Sequence, residues 1–237
     1  MFKTDINSPY YPYYKVHEAN VDFSGYAQFP RKLCDYLLDM PDGNYTPQNN
    51  NDFPRCRLWK YLYYDCEKPL KQELPSPKQK MSVLYNPDKP TEPPTDKGYR
   101  LIPQEYIKQA QEKAQTRIYA YLGRTISSNP FQYTCSMVFD IFTHYTYELN
   151  TRDGVYSRTG AIVAALISAL DGVNISGVGT FSMCRAKHPD CGTSPIFDGN
   201  TNVGTRLIIG FDMSSVENPE QNNYENMPSI EPNIRLA

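Results

Sequence analysis

Residues 131–148 are predicted to form one long strand, and apolar and polar residues alternate most clearly along residues 131–142. A period of two predicts a β-strand with one buried face. Val138 and Phe142 are apolar on the otherwise polar parity, so we expect the second face of this strand to be partly covered. The apolar parity carries Phe131, Tyr133, Cys135, Met137, Phe139 and Ile141, and the other parity carries Gln132, Thr134, Ser136 and Asp140.

A helical pattern follows along residues 157–172. Its apolar residues recur every three or four positions, and it has so little charge that we expect it to be packed on nearly all sides. Ser157 is predicted as the N-cap, and Gly172 as the left-handed residue that ends the helix. The apolar stripe consists of Ala161, Ile162, Val163, Ala165, Leu166, Ile167, Ala169 and Leu170.

Further strands are predicted on both sides of this unit. Gly177 and Gly179 introduce a short strand, and residues 205–213 alternate with Leu207, Ile209, Phe211 and Met213 on one face. Residues 116–126 read as a strand that pairs with the long one after a turn near Asn129 and Pro130. Helix stays an alternative for residues 118–122, because glutamine and alanine precede them. We therefore predict an α+β fold, with a mostly antiparallel sheet packed against one long helix.

The N-terminal part of the chain reads as a proline- and tyrosine-rich, partly helical extension. Residues 31–40 and a segment starting at Pro54 show helical spacing, with proline in the first turn of the second segment. Between Pro69 and Gly98 only residues 78–85 are long enough for a short helix, because recurring prolines keep the remainder extended. Residues 104–114 suggest one more short, polar helix.

This pattern divides the chain into three parts. Residues 1–98 form an N-terminal arm with two short helices and a proline-rich extended segment, residues 99–213 an α+β core domain, and residues 214–237 a flexible C-terminal arm. Residues 1–30 contain many tyrosines but no sustained period, so we expect them to lie on a neighbour or on the domain. The 20 prolines and 20 tyrosines of the 237-residue chain favour a domain with such appendages.

Charge and apolar runs exclude several classes of protein. The formal net charge of −2 gives no reason to expect a basic groove for nucleic acid. No apolar run is long enough for a membrane span, and the N-terminus lacks the pattern of a signal peptide. We therefore expect synthesis in the cytoplasm, where the 6 cysteines would be reduced.

The most notable chemical motif is the C-x3-H-x2-C spacing of Cys184, His188 and Cys191. Thiolate and imidazole ligands suit zinc, but a structural site needs four ligands at characteristic paired spacings. Cys135 or His144 would complete the set only if folding brought them near. We interpret the segment between Arg185 and Gly204 as a long hairpin loop with incidental polar residues and a role in contact, and we assign no metal ligand.

Other catalytic and cofactor-binding patterns find no support. The glycines at 177 and 179 follow a helix and precede a strand, whereas a phosphate loop leads from a strand into a helix, so we interpret them as a tight turn. The chain has 3 histidines, no G-x-S-x-G motif and no recognisable pair of catalytic carboxylates. We therefore predict no catalytic residue, no cofactor and no enzymatic activity.

The order of elements resembles the small neck proteins of long-tailed bacteriophages, especially tail terminators. The resemblance covers about residues 116–213 and lies in the succession of strand, helix, turn, strand, long loop and strand, not in any diagnostic residue. The N-terminal region with its prolines departs from the compact members of that family. The resemblance rests on two segments, SRTGAIVAALISALDGVNISGVGTFSMCR and NVGTRLIIGFDM.

The resemblance implies a structural virion protein without an active site. It implies a hexameric or otherwise cyclic ring of identical subunits, with the connector or head-closure protein on one side, the tail tube protein on the other, and DNA passing through the channel. A head-closure protein or another neck or tail component is an alternative. Alternatives of another class are a small zinc-containing enzyme that uses Cys184, His188 and Cys191, and a partner-binding adaptor with a tyrosine-rich arm.

Overall fold

The structure is a computed structural model of the chain. It describes residues 23–38, 51–105, 114–129, 132–150, 152, 154, 157–175, 178–198 and 201–214. The predictions for residues 1–22, for most of the polar helix at 104–114 and for residues 215–237 lie outside the described residues.

The described residues form a mixed α+β fold around a curled, largely antiparallel sheet. Its strands follow the order β1-β2-β3-β7-β5-β4, and β6 also pairs with β7. Only the pairing of β1 with β2 is parallel among these strands. The strands are β1 (Leu101–Ile102), β2 (Thr116–Asn129), β3 (Gln132–His144), β4 (Asn174–Ile175), β5 (Gly179–Ser182), β6 (Gly192–Asp198) and β7 (Asn202–Ser214).

Strand β7 has two partners along its outer edge. Residues 210–212 pair with β5, and residues 202–208 pair with β6. The loop between β5 and β6 therefore has to start and end beside the middle of β7. The prediction of one long hairpin loop after Arg185 is therefore partly wrong, because seven residues of that segment form β6.

The described helices are all short, and the longest has 13 residues. They are α1 (Phe29–Leu38), α2 (Pro54–Tyr63), α3 (Pro77–Val83), α4 (Tyr145–Asn150) and α5 (Arg158–Leu170), with 3-10 turns at Phe23–Gln28 and Pro69–Lys71. None of the helices in the described residues is long and apolar enough to cross a membrane.

The strand parities predicted from the sequence are confirmed, but the long strand predicted over residues 131–148 is shorter than expected, because β3 ends at His144 and α4 begins at Tyr145. Met137 and Phe139 of β3, and Leu207 and Ile209 of β7, are fully buried. Residues 118–122 lie in β2, so the helical alternative for them is wrong. β2 pairs with β3 up to Asn129 and Gln132, which agrees with the predicted turn.

The boundaries of α5 also follow the sequence pattern. The Ser157 Oγ accepts a hydrogen bond from the Gly160 amide at 2.8 Å, and Gly172 has a φ of 78°. The expectation that this helix is packed on nearly all sides is wrong, because Ala164 and Ser168 are exposed. The 13-residue α5 packs on α2, β3 and β7.

The prediction of one long helix against the sheet is not confirmed. Leu33 of α1, Trp59 of α2 and Val83 of α3 are fully buried in the same cluster as Leu166 of α5 and the inner face of the sheet. The proline-rich N-terminal extension is not confirmed either, since these three helices share the central core. The domain boundaries proposed from the sequence stay a prediction.

The outer face of the sheet carries a second, smaller apolar cluster. Tyr99, Ile102, Tyr119 and Phe142 are buried there, with Tyr85 and Ile196 packed against them. The Tyr99 hydroxyl donates to the Lys89 carbonyl at 2.7 Å, which attaches part of the proline-rich segment to this cluster. Partial cover of the second face, expected from Phe142, is therefore confirmed.

Candidate functional site: an apolar end of the sheet

The loop with Cys184, His188 and Cys191 folds back onto the outer face of the sheet. Two turns shape it: the His188 amide donates to the Cys184 carbonyl at 2.9 Å, and the Cys191 amide donates to the His188 carbonyl at 3.0 Å. The His188 ring lies directly over Gly210, where a Cβ would be only 2.0 Å from His188 Cγ. Gly210 is therefore the position that admits the ring.

The three residues are not arranged as a ligand set. Cys184 is exposed, whereas His188 and Cys191 are buried. The Cys191 Sγ accepts from the Gly210 amide at 3.0 Å, and burial raises the pKa of the Cys191 thiol, which disfavours the thiolate that zinc requires. Within the part of the chain that the structure describes, no three His, Cys, Asp or Glu residues form a group that could hold a metal ion.

Among the described residues, neither of the two further candidate ligands joins Cys184, His188 and Cys191 in a metal-binding group. Cys135 is on the helix-facing side of β3, with its Sγ 3.9 Å from Met213 Sδ. His144 ends β3, where its ring lies 4.6 Å from that of Tyr145. Cys135 also lines a small cavity beside His188 and Cys191 but is buried in the central cluster, whereas His144 lies at the far end of β3.

His188 itself is the least satisfied polar group of this region. Neither ring nitrogen has a hydrogen-bond partner among the described residues, and the Asp212 Oδ1 lies 3.7 Å from Nε2. A cavity of about 20 Å³ lies beside it, lined in part by Arg124, Thr134 and Asp190. That volume admits one water-sized group, so the cavity is too small for an organic substrate.

A charged cluster on the outer face was not predicted. The Asp140 carboxylate is buried and accepts hydrogen bonds from Arg206 Nε at 2.7 Å, from Arg206 Nη2 at 2.8 Å and from the Tyr121 hydroxyl at 2.9 Å. Hydrogen bonding to Asp140 raises the pKa of Arg206, and burial followed by the hydrogen bond to Asp140 raises the pKa of Tyr121. Both carboxylate oxygens are engaged, so this cluster holds strands together and offers no acid or base.

The sequence shows one charged residue, Asp140, on the polar parity of β3 and two, Arg206 and Asp212, on that of β7. Asp140 lies between Val138 and Phe142 in β3, and Arg206 stands on the corresponding parity of β7. A charge surrounded by bulky apolar residues needs a partner of opposite sign. The pairing itself depends on the register of β3 with β7, which the sequence alone does not give.

Helix α4 is attached firmly to the start of α5. The Glu148 carboxylate is buried and accepts hydrogen bonds from the Thr159 amide at 2.9 Å, the Thr159 hydroxyl at 2.8 Å and the Ser157 hydroxyl. An acidic group at a helix N-terminus is favoured by the helix dipole. These bonds fix α4 at the end of the sheet where β3 finishes.

That end of the sheet carries the main exposed apolar surface of the described residues. Phe197 of β6 and Val203 of β7 are direct cross-strand partners, with 89% and 43% of their surface exposed. Tyr145 and Leu149 of α4 are 49% and 78% exposed, and the Tyr145 amide donates to the Thr201 carbonyl at 2.9 Å. We call these four residues the apolar end.

Most of the exposed large hydrophobic side chains lie together at the apolar end. Of the six large hydrophobic residues found exposed in the described part of the chain, four are at the apolar end, and Met81 and Ile126 are the others. Single exposed apolar residues are ordinary on protein surfaces, but a cluster of them marks a contact site. This cluster was hard to predict, because Phe197 stands in a segment without hydrophobic periodicity, between Pro195 and Gly199.

Part of the chain matches a known protein family. The model of one family, YomW, matches residues 56–190, which is more than half of the chain. The chain belongs to the YomW family. Its name is that of a phage-derived, SPbeta-like protein family, which is consistent with a phage protein. No curated protein and no solved structure matches the chain.

The YomW match covers part of each feature described above. It runs from Cys56 in α2 through the loop of Cys184 and His188, and it includes Asp140 and Glu148. The β6–β7 hairpin with Phe197 and Val203 lies beyond the matched residues. Tyr145 and Leu149 lie within the matched residues, so the match includes half of the apolar end.

Proposed function

We propose that this member of the YomW family is a structural virion protein that forms a ring at the phage head-to-tail junction, as the tail terminator that ends the tail tube and joins it to the connector. The observation that carries the proposal is the apolar end, which exposes two strand residues and two helix residues of a single chain. The family name supports a phage origin. The order of elements along residues 116–213 of the sequence resembles that of tail terminators. A head-closure protein or another neck or tail component is the nearest alternative.

The apolar end suits assembly better than catalysis. Subunits of a ring meet through two different surfaces, and each surface has to be left uncovered on the single chain. Large apolar side chains at such a surface provide the buried centre of the contact. The carboxylates of Asp140 and Glu148, by contrast, have their hydrogen-bonding capacity taken up inside the fold.

The proposal assigns partners by position. Identical subunits surround the channel, the connector or head-closure protein lies on one side, and the tail tube protein lies on the other. A net charge of −2 lets DNA pass without strong retention, because tight binding requires many cationic side chains on phosphates. The protein then belongs to the virion after synthesis in the host cytoplasm, and it has no active site.

The test is the mass of the purified protein, measured by light scattering and native mass spectrometry beside negative-stain images. We expect a closed ring, of six subunits or another fixed number. Phe197→Ser should shift the ring toward monomers, because it removes the most exposed apolar side chain of the apolar end. Met81→Ser is the matched control, since Met81 is 52% exposed on α3 and should leave assembly unchanged. A stable monomer that carries bound zinc would refute the proposal and support the zinc-containing alternative.

A further inference from the structure

We propose that the apolar end is occupied by the tyrosine-rich N-terminal segment, residues 1–22, of a second copy of this chain. The inference rests on the proposed function, because it names the contact that links one subunit of the ring to the next. It identifies the apolar end as the acceptor and the segment before Phe23 as the donor.

The donor segment joins the fold far from the acceptor. The 3-10 turn Phe23–Gln28 follows it, and the Tyr26 hydroxyl is hydrogen-bonded to the Thr125 hydroxyl. Thr125 pairs with Cys135, whereas the apolar end lies where β3 finishes at His144. Nine steps along β3 separate these positions, or about 30 Å at 3.3 Å per residue. Donor and acceptor are therefore at opposite ends of the sheet.

Opposite ends are the geometry of a head-to-tail contact. A donor at one end and an acceptor at the other allow each copy to bind the next, and such a contact can repeat around a closed ring. A segment of 22 residues spans up to about 70 Å when extended, which is long enough to reach a neighbouring copy. In the single chain Phe197 remains 89% exposed, which favours an occupant from another copy.

The apolar end is also too small to form a stable interface without further contacts. A stable protein interface buries on the order of 800 Å² on each partner, contributed by roughly 20–30 residues. Four exposed side chains supply only part of that. A segment that lies across the apolar end and continues over its surroundings adds contact area without requiring a second flat surface on the domain.

The composition of the donor fits the acceptor. Residues 9–14 read PYYPYY, so four tyrosines stand within six residues, and Phe2 precedes them. Proline favours an extended chain that is already partly ordered, and tyrosine contributes large contact area at low entropic cost. Residues 215–237 are the other candidate, but they contain one tyrosine and four glutamates, which suits an apolar strip less well.

The decisive experiment places a photoreactive benzoylphenylalanine at position 197 of the full-length protein. Isotopically light and heavy copies are mixed, assembled and irradiated, and the cross-linked peptides are identified by mass spectrometry. We expect peptides from residues 1–22 joined to position 197 of a copy with the other isotope label. The same probe at position 81 is the control and should not capture that segment.

A second variant tests the donor without altering the acceptor. Replacing Tyr10, Tyr11, Tyr13 and Tyr14 by serine in the full chain should raise the concentration needed for half-assembly about tenfold or more, as Phe197→Ser should. Because these tyrosines precede the first described helix, circular dichroism of the variant should match that of the unaltered protein.

The outcomes separate this inference from the proposed function. Rings that form with position 197 cross-linked to residues 215–237, to another surface or only within one copy would overturn the inference and leave the ring function standing. Cross-links between copies from residues 1–22 in an assembly that is not a closed ring would uphold the contact and overturn the ring. A protein that stays monomeric at all concentrations would overturn both.

Discussion

At the scale of single residues, the buried Asp140 carboxylate needs a partner of opposite charge, and its hydrogen bonds hold the sheet together. Asp140 points to the outer face of β3 between two apolar neighbours, and Arg206 and Tyr121 approach it from the strands on either side. Charge-assisted hydrogen bonds of this kind are stronger than neutral ones. One carboxylate thus connects β2, β3 and β7.

Asp140→Asn should lower the free energy of unfolding by about 2 kcal/mol, because it weakens the hydrogen bonds from Arg206. The loss is limited because water still solvates the exposed part of the Arg206 side chain. Urea unfolding followed by circular dichroism measures the loss. Asp35→Asn is the matched control: it removes the exposed ion pair with Arg31 and should cost no more than about 0.5 kcal/mol. Equal losses for the two variants would contradict the role assigned to Asp140.

At the scale of elements, α5 and the loop before β6 show how each face of the sheet is covered. The helix presents Ala165, Leu166 and Ala169 to the inner face and leaves Ala164 and Ser168 exposed. The loop places His188 on the outer face over Gly210. Small residues at both contacts let a neighbouring element approach closely.

Ala165→Asp should destabilise the fold by several kcal/mol, because Ala165 is 1% exposed and the new carboxylate would have no partner in the apolar core. A domain of ordinary stability would unfold or purify as aggregates. Ala164→Asp changes the same residue type one position earlier on the same helix, and it should have little effect because Ala164 is exposed. Thermal unfolding of both variants provides the comparison, and a tolerant Ala165 would show that α5 faces the sheet differently.

Gly210→Ala should cost about 2 kcal/mol, because the added methyl group overlaps the His188 ring and the loop has to move. His188→Gly removes that ring and should restore part of the stability when combined with Gly210→Ala. A double-mutant cycle from urea unfolding measures this coupling. Strictly additive losses would mean that the histidine does not occupy the space above Gly210.

At the scale of the whole molecule, the N-terminal helices and the sheet bury one another. Leu33, Trp59 and Val83 belong to the same buried cluster as Phe139 and Phe211 of the sheet. The Arg158 guanidinium of α5 donates to the Tyr64 carbonyl at 2.9 Å, which links the chain after α2 to the start of α5. Elements before and after residue 98 therefore support a common core.

We expect the full chain to unfold in one cooperative transition, because removing either part would expose the shared core. Far-ultraviolet circular dichroism and the fluorescence of Trp59 should give coincident urea curves. A fragment of residues 99–237 should fail to fold, since it lacks the apolar side chains of α1, α2 and α3. A folded, monomeric fragment would instead support the domain boundary proposed from the sequence.

Much of the local structure was predictable because it depends on neighbours in the chain. The period of two predicted β3 and β7 with their buried residues, and the polar residue before the apolar helical stripe predicted the cap at Ser157. The glycine after that stripe has the positive φ expected of it. These features follow from steric and hydrogen-bonding preferences within a few residues.

The candidate site was less predictable because it depends on residues that are distant in sequence. The spacing of Cys184, His188 and Cys191 suggested zinc chemistry, yet the fold exposes the first residue and buries the other two. Phe197 gave no periodic signal, since its strand contains a proline and ends at a turn. Its exposure beside Val203 became visible only when β6 was paired with β7.

The sequence by itself determined where β3, β7 and α5 lie and which side of each of these strands is apolar, because those properties are set by local periodicity. Tertiary structure decided that several short helices share the inner face, that Asp140 meets Arg206, and that four apolar side chains stay exposed at one end. The reason is physical: strand register and packing bring together residues 60 or more positions apart, and no local preference specifies such contacts.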